Sequence, residues 1–125
     1  MWSLFLTDIF CMLSFNHMVE QTIQLDIIFQ ALADSTRRDI LRRVSDKALS
    51  ISDLAKPYQM SFAAIAKHVK KLEAAKLISK ERVGKEQRVV ASPEALQAAS
   101  QYLQEYADVW ESRYNALDNL LENNK

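Results

Sequence analysis

Residues 61–74 read Ser-Phe-Ala-Ala-Ile-Ala-Lys-His-Val-Lys-Lys-Leu-Glu-Ala, and this stretch decides the fold. When residues are placed at about 100° intervals around a helix, one narrow side carries the apolar residues Ile65, Val69 and Leu72. The opposite side carries small and basic residues, namely Ala63, Lys67, Lys70 and, beside them, Lys71. The sequence therefore predicts a short helix that buries one face and presents the other to an anionic, rigid partner.

The basic character of this region is local. The chain has 125 residues with 16 Lys and Arg and 16 Asp and Glu, so its formal net charge is zero. Basic against acidic residues number five against seven in residues 1–55, nine against three in 56–90 and two against six in 91–125. A basic middle segment can produce a positive field that the total charge conceals. The length suits one compact domain.

The first 17 residues are apolar, but they contain Asp8, lack a positive n-region and are shorter than the roughly 20 residues that span a bilayer. We therefore expect neither a signal peptide nor a membrane partner. We divide the chain into an N-terminal extension, residues 1–17, and one domain, residues 18–125. The extension is either a disordered or misassigned leader, or an amphipathic segment packed on the core or on a dimer partner. The single cysteine, Cys11, excludes an internal disulfide and fits a reducing, cytoplasmic setting.

Residues 22–32 predict a mostly buried helix, and Asp34 is placed to cap a second one that buries Ile40, Leu41 and Val44. The arginines of this second helix, at 37, 38, 42 and 43, are left for the solvent side, where Arg37 or Arg38 could reach a phosphate. Ser50 is predicted to cap a short helix that ends near Pro57, and Ser61 is predicted to cap the basic helix. Two such helices joined by a tight turn predict a helix-turn-helix, and hence double-stranded DNA as partner.

Residues 77–83 and 86–90 predict two strands, joined where Gly84, the only glycine, supplies a positive φ for a tight hairpin. The hairpin carries four cations, at Lys80, Arg82, Lys85 and Arg88. A charged hairpin is commonly a solvated edge. Directly after a predicted recognition helix, this one is better interpreted as a wing that lies along DNA.

A long last helix is predicted from Ser92, as a capping residue, to about Leu121. Its wide apolar band recurs at seven-residue intervals and exceeds what one small domain can cover. We therefore predict a two-fold dimer interface that uses both terminal helices. Its residues on the last helix are Leu96, Leu103, Trp110, Tyr114, Leu117 and Leu121.

Over residues 25–92 the chain resembles the ArsR, or arsenical-repressor, family. The segments that carry the resemblance are 29–41 (FQALADSTRRDIL), 51–55 (ISDLA), 60–61 (MS), 65–69 (IAKHV), 72–78 (LEAAKLI) and the turn at Gly84. The resemblance implies a mainly α-helical, dimeric winged helix-turn-helix with a small β-hairpin, and a bacterial or archaeal repressor that binds an imperfect palindrome. Ser35, Ala66 and Lys76 stand where the family often has proline, serine and glycine.

The predicted DNA-binding residues are Ser61, Phe62, Ala63, Ala66, Lys67, Lys70, Lys71, Arg37, Lys80, Arg82, Lys85 and Arg88. Metal sensors of the family use cysteines on the first helix of the helix-turn-helix or histidines and acids on the last helix. Residues 51–56 contain no cysteine and residues 93–125 contain no cysteine or histidine, so we expect no metal at those sites and no cofactor. His68 is predicted to be a packing residue. No catalytic motif is evident; the alternative function is a winged-helix module that binds a protein.

Overall fold

The computed structural model describes the backbone of residues 2–124 and the side chains of residues 8, 9, 11–13 and 20–124. The chain forms five helices and a small sheet, in the order α1 (Trp2–Leu32), α2 (Ser35–Asp46), β1 (Leu49–Ser50), α3 (Ile51–Ala55), α4 (Phe62–Ala74), β2 (Ile78–Val83), β3 (Glu86–Ala91) and α5 (Pro93–Asn123). The antiparallel sheet has the strand order β1-β3-β2. The predicted mainly α-helical architecture with a β-hairpin is confirmed.

One hydrophobic core joins α2, α3 and α4 to the base of the hairpin. Its largest fully buried side chains are Ile28, Ile40, Leu54, Ile65, Leu72, Leu77, Val69 and Val89. The three residues predicted for the buried face of α4, Ile65, Val69 and Leu72, are each completely buried. The helix that decides the fold therefore contributes three residues to the centre of the core.

The structure differs from the sequence-based expectation at the N-terminus. The sequence predicts a helix from residue 22, but α1 begins at Trp2 and runs without a break across the predicted boundary after residue 17. No proline or glycine precedes Pro57, so nothing in the covalent chain interrupts a helix there. The expected burial of residues 22–32 is also incomplete, because Ile23 and Ile27 remain 53% and 40% exposed. The division into extension and domain stays a prediction.

Two smaller differences concern the start of α5 and an additional short strand. Ser92 lies at the N-cap position of α5, but its side chain makes no capping hydrogen bond, and its backbone N–H donates to Leu77 O at 2.9 Å. The strand β1 was not predicted, because its two residues are too few to show a period. It pairs Leu49 with Val89 and Ser50 with Arg88, and so attaches the start of α3 to the hairpin.

The C-terminus of α4 is closed by a left-handed residue. Lys76 has φ +59°, the only positive φ of a non-glycine residue in the described chain. The N–H of Leu77 donates to Leu72 O at 3.1 Å and the N–H of Lys76 donates to Glu73 O at 2.9 Å. These two bonds form a Schellman motif, in which glycine is the favoured residue because a side chain clashes in this conformation.

Replacing Lys76 with glycine is therefore expected to stabilise the fold. Relief of left-handed strain outweighs the greater freedom that glycine gives the unfolded chain, for a net gain of about 0.5–1 kcal/mol. Urea unfolding at one protein concentration measures the gain. Lys76→Ala is the matched control: it removes the same charge but keeps Cβ, and should remain near the parent chain. An equal gain in both variants would refer the effect to charge instead.

Candidate nucleic-acid interface

The helix-turn-helix consists of α3, the connection through residues 56–61, and α4. The Ser50 hydroxyl accepts a hydrogen bond from the N–H of Asp53 at 3.1 Å, and the Ser61 hydroxyl accepts one from the N–H of Ala64, also at 3.1 Å. Both predicted serine caps are therefore observed. Each fixes the first turn of its helix by satisfying an N–H that the helix itself cannot pair.

An arginine of α2 holds the end of α3. Arg43 donates to Leu54 O at 2.9 Å and to Asp53 O at 3.1 Å, and its guanidinium lies 5.6 Å from the centre of the Tyr58 ring. Carbonyls at a helix C-terminus lack intrahelical partners and attract cations. The expectation that Arg43 faces solvent is thus wrong: its guanidinium ties α2 to the helix-turn-helix, whereas Arg42 is exposed and pairs with Asp39 at 2.7 Å.

The Asp39 carboxylate joins α2 to the turn before α4. The Tyr58 hydroxyl donates a hydrogen bond to one carboxylate oxygen of Asp39, and Arg42 donates to the other. The hydrogen bond from Tyr58, followed by that from Arg42, lowers the pKa of Asp39 below its ordinary value of 3.8. Burial, followed by the bond to Asp39, raises the pKa of Tyr58. The bonded pair is therefore an ionised carboxylate and a neutral phenol at neutral pH.

Tyr58→Phe is expected to lower the free energy of unfolding by about 1 kcal/mol at pH 7, because it removes one hydrogen bond to this carboxylate. A carboxyl group with a lowered folded-state pKa stabilises the fold above its unfolded pKa, and that contribution disappears as the pH falls through the folded value. The difference between variant and parent should therefore shrink below about pH 4, near the ordinary aspartate pKa.

Urea unfolding at a series of pH values measures this dependence. Asp39→Asn gives the matched background, because without the carboxylate Tyr58→Phe should cost less and its cost should no longer change at about pH 4. A destabilisation by Tyr58→Phe that stayed constant from pH 7 to pH 3 would contradict a role for ionised Asp39.

Two further arginines of α2 bind the end of α1. Arg37 donates through Nε to Ala31 O at 2.6 Å and through Nη2 to Gln30 O at 2.9 Å, while Arg38 donates to Leu32 O at 2.9 Å. The Arg37 side chain is only 11% exposed. The expectation that these arginines face solvent is corrected for Arg37, whose guanidinium has a structural role. A contact between Arg37 and a phosphate stays a prediction. The bonds to Ala31 O and Gln30 O do not favour it, because they already engage the guanidinium.

The predicted recognition face of α4 is exposed. Phe62 is 57% exposed, Ala63, Lys67, Lys70 and Lys71 are also exposed, and Ala66 is half-buried. In the part of the chain that the structure describes, none of the three lysines forms an ion pair. Lys71 lies to one side, where it lines a groove of about 240 Å³ with Arg37 and Gln30. Lys67 and Lys70 consequently form the centre of the positive surface.

The strand register divides the hairpin into two faces. Successive side chains alternate in direction, and paired residues share a face. The inner face, which continues the core, contains Ile78, Lys80, Arg82, Gln87, Val89 and Ala91; the outer face contains Ser79, Glu81, Val83, Glu86, Arg88 and Val90. Gly84, with φ +65°, lies in the turn beside Lys85.

The four predicted wing cations are therefore not equivalent. Lys80 lies 3.7 Å from the Glu73 carboxylate on α4, and Arg88 lies 3.6 Å from Glu86 on the outer face. Arg82 and Lys85 are exposed and form no ion pair among the described residues. Alternation along the strands could have separated Arg82 from Arg88, but only if their register had been known in advance.

The predicted dimer residues lie along α5. Leu103, Trp110, Tyr114, Leu117 and Leu121 are each more than half exposed. Leu96 differs because it is half-buried and packs against the chain's own core. On α1, Ile9, Met12 and Leu13 are also exposed. The Phe29 and Tyr102 rings, 5.9 Å apart, join the two terminal helices at the edge of the core.

Among the described residues, no cluster of three or more His, Cys, Asp or Glu side chains has an arrangement that could hold a metal ion. Over the same residues, no helix combines the length and the apolar character needed to cross a membrane.

A helix-turn-helix with a capped, basic second helix and a β-hairpin wing defines a winged helix-turn-helix DNA-binding protein. Residues 32–81 match the family model described as a helix-turn-helix domain. The chain is 34% identical over 73 residues to the HTH-type transcriptional regulator Rv2034 of Mycobacterium tuberculosis, covering 58% of this chain and 68% of that protein.

Solved structures agree. An ArsR-like transcriptional regulator from Rhodococcus sp. RHA1 is 32% identical, with a TM-score of 0.67 over 79% of this chain and 93% of that one. The homodimeric winged helix-turn-helix DNA-binding domain Mb0332 of Mycobacterium bovis is 18% identical and shares the fold, with a TM-score of 0.57 over 74% of this chain and 83% of that one. The chain belongs to the ArsR family of transcriptional regulators. It is a DNA-binding regulator and not an enzyme.

Proposed function

We propose that the chain is a homodimeric repressor that binds a palindromic operator through α4 and the wing. The observation that carries this proposal is the exposed basic face of α4, where Lys67 and Lys70 form no ion pair among the described residues. Directly behind this face, Ile65, Val69 and Leu72 are completely buried. The lysines therefore project from a helix that the core holds in place, and they remain available to bind an external anion.

Different residues of α4 would contact different groups of the DNA. The exposed N-terminus of the helix, at Ser61 and Phe62, is suited to a phosphate because its N–H groups and dipole attract anions. Phe62, Ala63 and Ala66 offer close apolar contact with thymine methyl groups, and Lys67, Lys70 and Lys71 offer donors to guanine or phosphate. Lys80, Lys85 and Arg88 on the wing would add affinity that does not depend on sequence. Arg82 is the cation on the inner face of the wing that forms no ion pair among the described residues.

The second part of the proposal is the dimer. The exposed apolar band on α5 is unusually long for a monomer surface, and α1 adds the further exposed apolar residues Ile9, Met12 and Leu13. A two-fold dimer would bury both. It would also present two copies of α4 to successive major grooves, about 34 Å apart on one side of the duplex. The homodimeric Mycobacterium bovis domain of the same fold supports this arrangement.

Repression would follow from competition with RNA polymerase for the promoter, in the cytoplasm where the operator lies. The proposal includes no metal or cofactor, because the positions used by the family's metal sensors carry no cysteine or histidine here.

Footprinting on DNA upstream of the chain's own reading frame tests the function. We expect two protected half-sites related by a dyad, and protection that weakens steeply with salt. Sedimentation of the same preparation should give twice the mass of one chain. Binding that has no sequence preference, or a monomer bound to each half-site independently, would contradict the proposal.

A further inference from the structure

The connection between α3 and α4 is attached to the rest of the domain at one tyrosine. Of residues 56–61, all of which the structure describes, Tyr58 alone is partly buried. Its backbone N–H donates to Ala55 O at 3.1 Å, at the end of α3. Residues 59–63 are all exposed, and the next completely buried residue is Ile65 on α4. The start of α4, where the phosphate contact is proposed, therefore lies between two fixed points, Tyr58 and Ile65.

The contacts of Tyr58 fix the connection to α2. Its hydroxyl donates a hydrogen bond to the Asp39 carboxylate, and its ring lies 5.6 Å from the guanidinium of Arg43. Asp39 and Arg43 are four residues apart on α2, so both lie on the side of that helix that faces the connection. The helix α2 itself contributes three buried residues to the core. Tyr58 thus ties an otherwise exposed segment to an element that the core holds in place.

The hydroxyl contact fixes the direction of the tyrosine as well as its position. A hydrogen bond to an ionised carboxylate is roughly twice as strong as one between neutral groups, and it weakens steeply when its angle departs from linearity. Arg42 donates to the second oxygen of the same carboxylate at 2.7 Å, which opposes rotation of that group. Removal of the hydroxyl alone should therefore loosen the connection although the ring stays packed.

We propose that Tyr58, through its hydrogen bond to Asp39, is a positioning residue for DNA binding, which sets where the first residues of α4 lie against the phosphate backbone. It acts without contacting DNA. Its loss should weaken the contacts of residues 61–63, whereas Lys67 and Lys70 follow Ile65 and keep theirs. This inference rests on the proposed operator binding, and it adds to that proposal a determinant outside the recognition surface.

Affinity measurements on the full chain form the first test. Tyr58→Phe should lower the affinity for the footprinted operator about twofold to thirtyfold, the range for residues that act on a site without touching its ligand. Affinity for a duplex of unrelated sequence should stay nearly unchanged. A variant that merely contained less folded protein would lose both affinities equally, so the ratio of the two separates positioning from stability.

The sign of a second variant excludes a simple charge effect. Asp39→Asn removes a negative charge, which by itself would strengthen binding to a polyanion. We expect weaker operator binding instead, because a neutral amide is a poorer acceptor for the Tyr58 hydroxyl. The double variant should lose little more than either single variant, since both changes act on one bond. Asp46→Asn removes an exposed carboxylate at the end of the same helix and should not weaken binding.

Neutral methylphosphonate linkages, placed one at a time in the operator, locate the affected contact. Linkages that weaken binding in the parent chain but not in Ser61→Ala are those contacted by the start of α4. Tyr58→Phe should lose sensitivity at the same linkages. Lys85→Ala, on the wing, should lose it at different ones.

Three results would overturn the inference: equal losses of specific and non-specific affinity in Tyr58→Phe, stronger operator binding by Asp39→Asn, or a linkage pattern in Tyr58→Phe identical to that of the parent. If the chain protects no operator at all, the proposed function fails and this inference fails with it. If the operator is protected and Tyr58→Phe binds it as the parent does, only this inference fails.

Discussion

Leu72→Ala is expected to lower the free energy of unfolding by about 2–5 kcal/mol, the range for truncating a buried leucine to alanine. Leu72 is completely buried on the core side of α4, and its carbonyl accepts the hydrogen bond from Leu77 that closes the helix. Neighbours on α2 and at the base of the hairpin are joined to it through one core, so they cannot collapse fully into the cavity. A loss of this size is a large part of a domain's total stability of about 5–15 kcal/mol.

Urea unfolding of Leu72→Ala should be measured at the same protein concentration as the parent, since dimerisation would couple stability to concentration. Lys70→Ala is the control on the same helix, because it exchanges an exposed side chain for a residue of high helix propensity and should change stability by less than about 0.5 kcal/mol. Comparable losses in the two variants would contradict the assignment of buried and exposed faces.

Lys67→Ala is expected to reduce operator affinity by about 1–3 kcal/mol, roughly fivefold to 150-fold, while leaving unfolding unchanged. Lys67 lies opposite the buried face, is exposed and forms no ion pair among the described residues. Its removal therefore deletes a contact with DNA and little else. Titration of the footprinted operator at fixed salt measures the affinity, because values at different ionic strengths are not comparable.

Two comparisons make this test specific. Lys47→Ala removes the same charge from an exposed position at the end of α2, outside the predicted surface, and should leave the affinity nearly intact. The salt dependence then separates two roles of Lys67: a phosphate contact would reduce the salt slope by about one, whereas a base contact would relax specificity at one position. Undiminished binding by Lys67→Ala would remove α4's basic face from the proposed interface.

Much of the fold was predictable because its signals are local. The spacing of Ile65, Val69 and Leu72 defines the buried side of α4, and the caps at Ser50 and Ser61 depend on residues only three positions away. Gly84 indicates the hairpin turn because a positive φ is needed there. In each case the sequence pattern and the tertiary environment require the same residue, so the pattern is sufficient.

Sequence patterns do not predict the contacts that connect separate elements. Helical periodicity places the arginines of α2 away from the apolar stripe and so predicts that they face solvent. Their long side chains nevertheless reach the carbonyl ends of α1 and α3, which lie near only in the folded chain. The continuous α1 is not predicted for a different reason: an apolar segment with no clear polar side gives little indication of a helix. The pairing of the wing cations similarly depends on a register that alternation alone does not determine.

The arginine bonds of α2 have a mechanical consequence. Arg37 and Arg38 fasten one side of α2 to the end of α1, and Arg43 fastens its other side to the end of α3. In the proposed dimer, α2 therefore connects α1, at the subunit contact, to the helix-turn-helix. Loss of either set of bonds would release one end of this connection, so the position of the helix-turn-helix relative to α1 depends on three arginine side chains of α2.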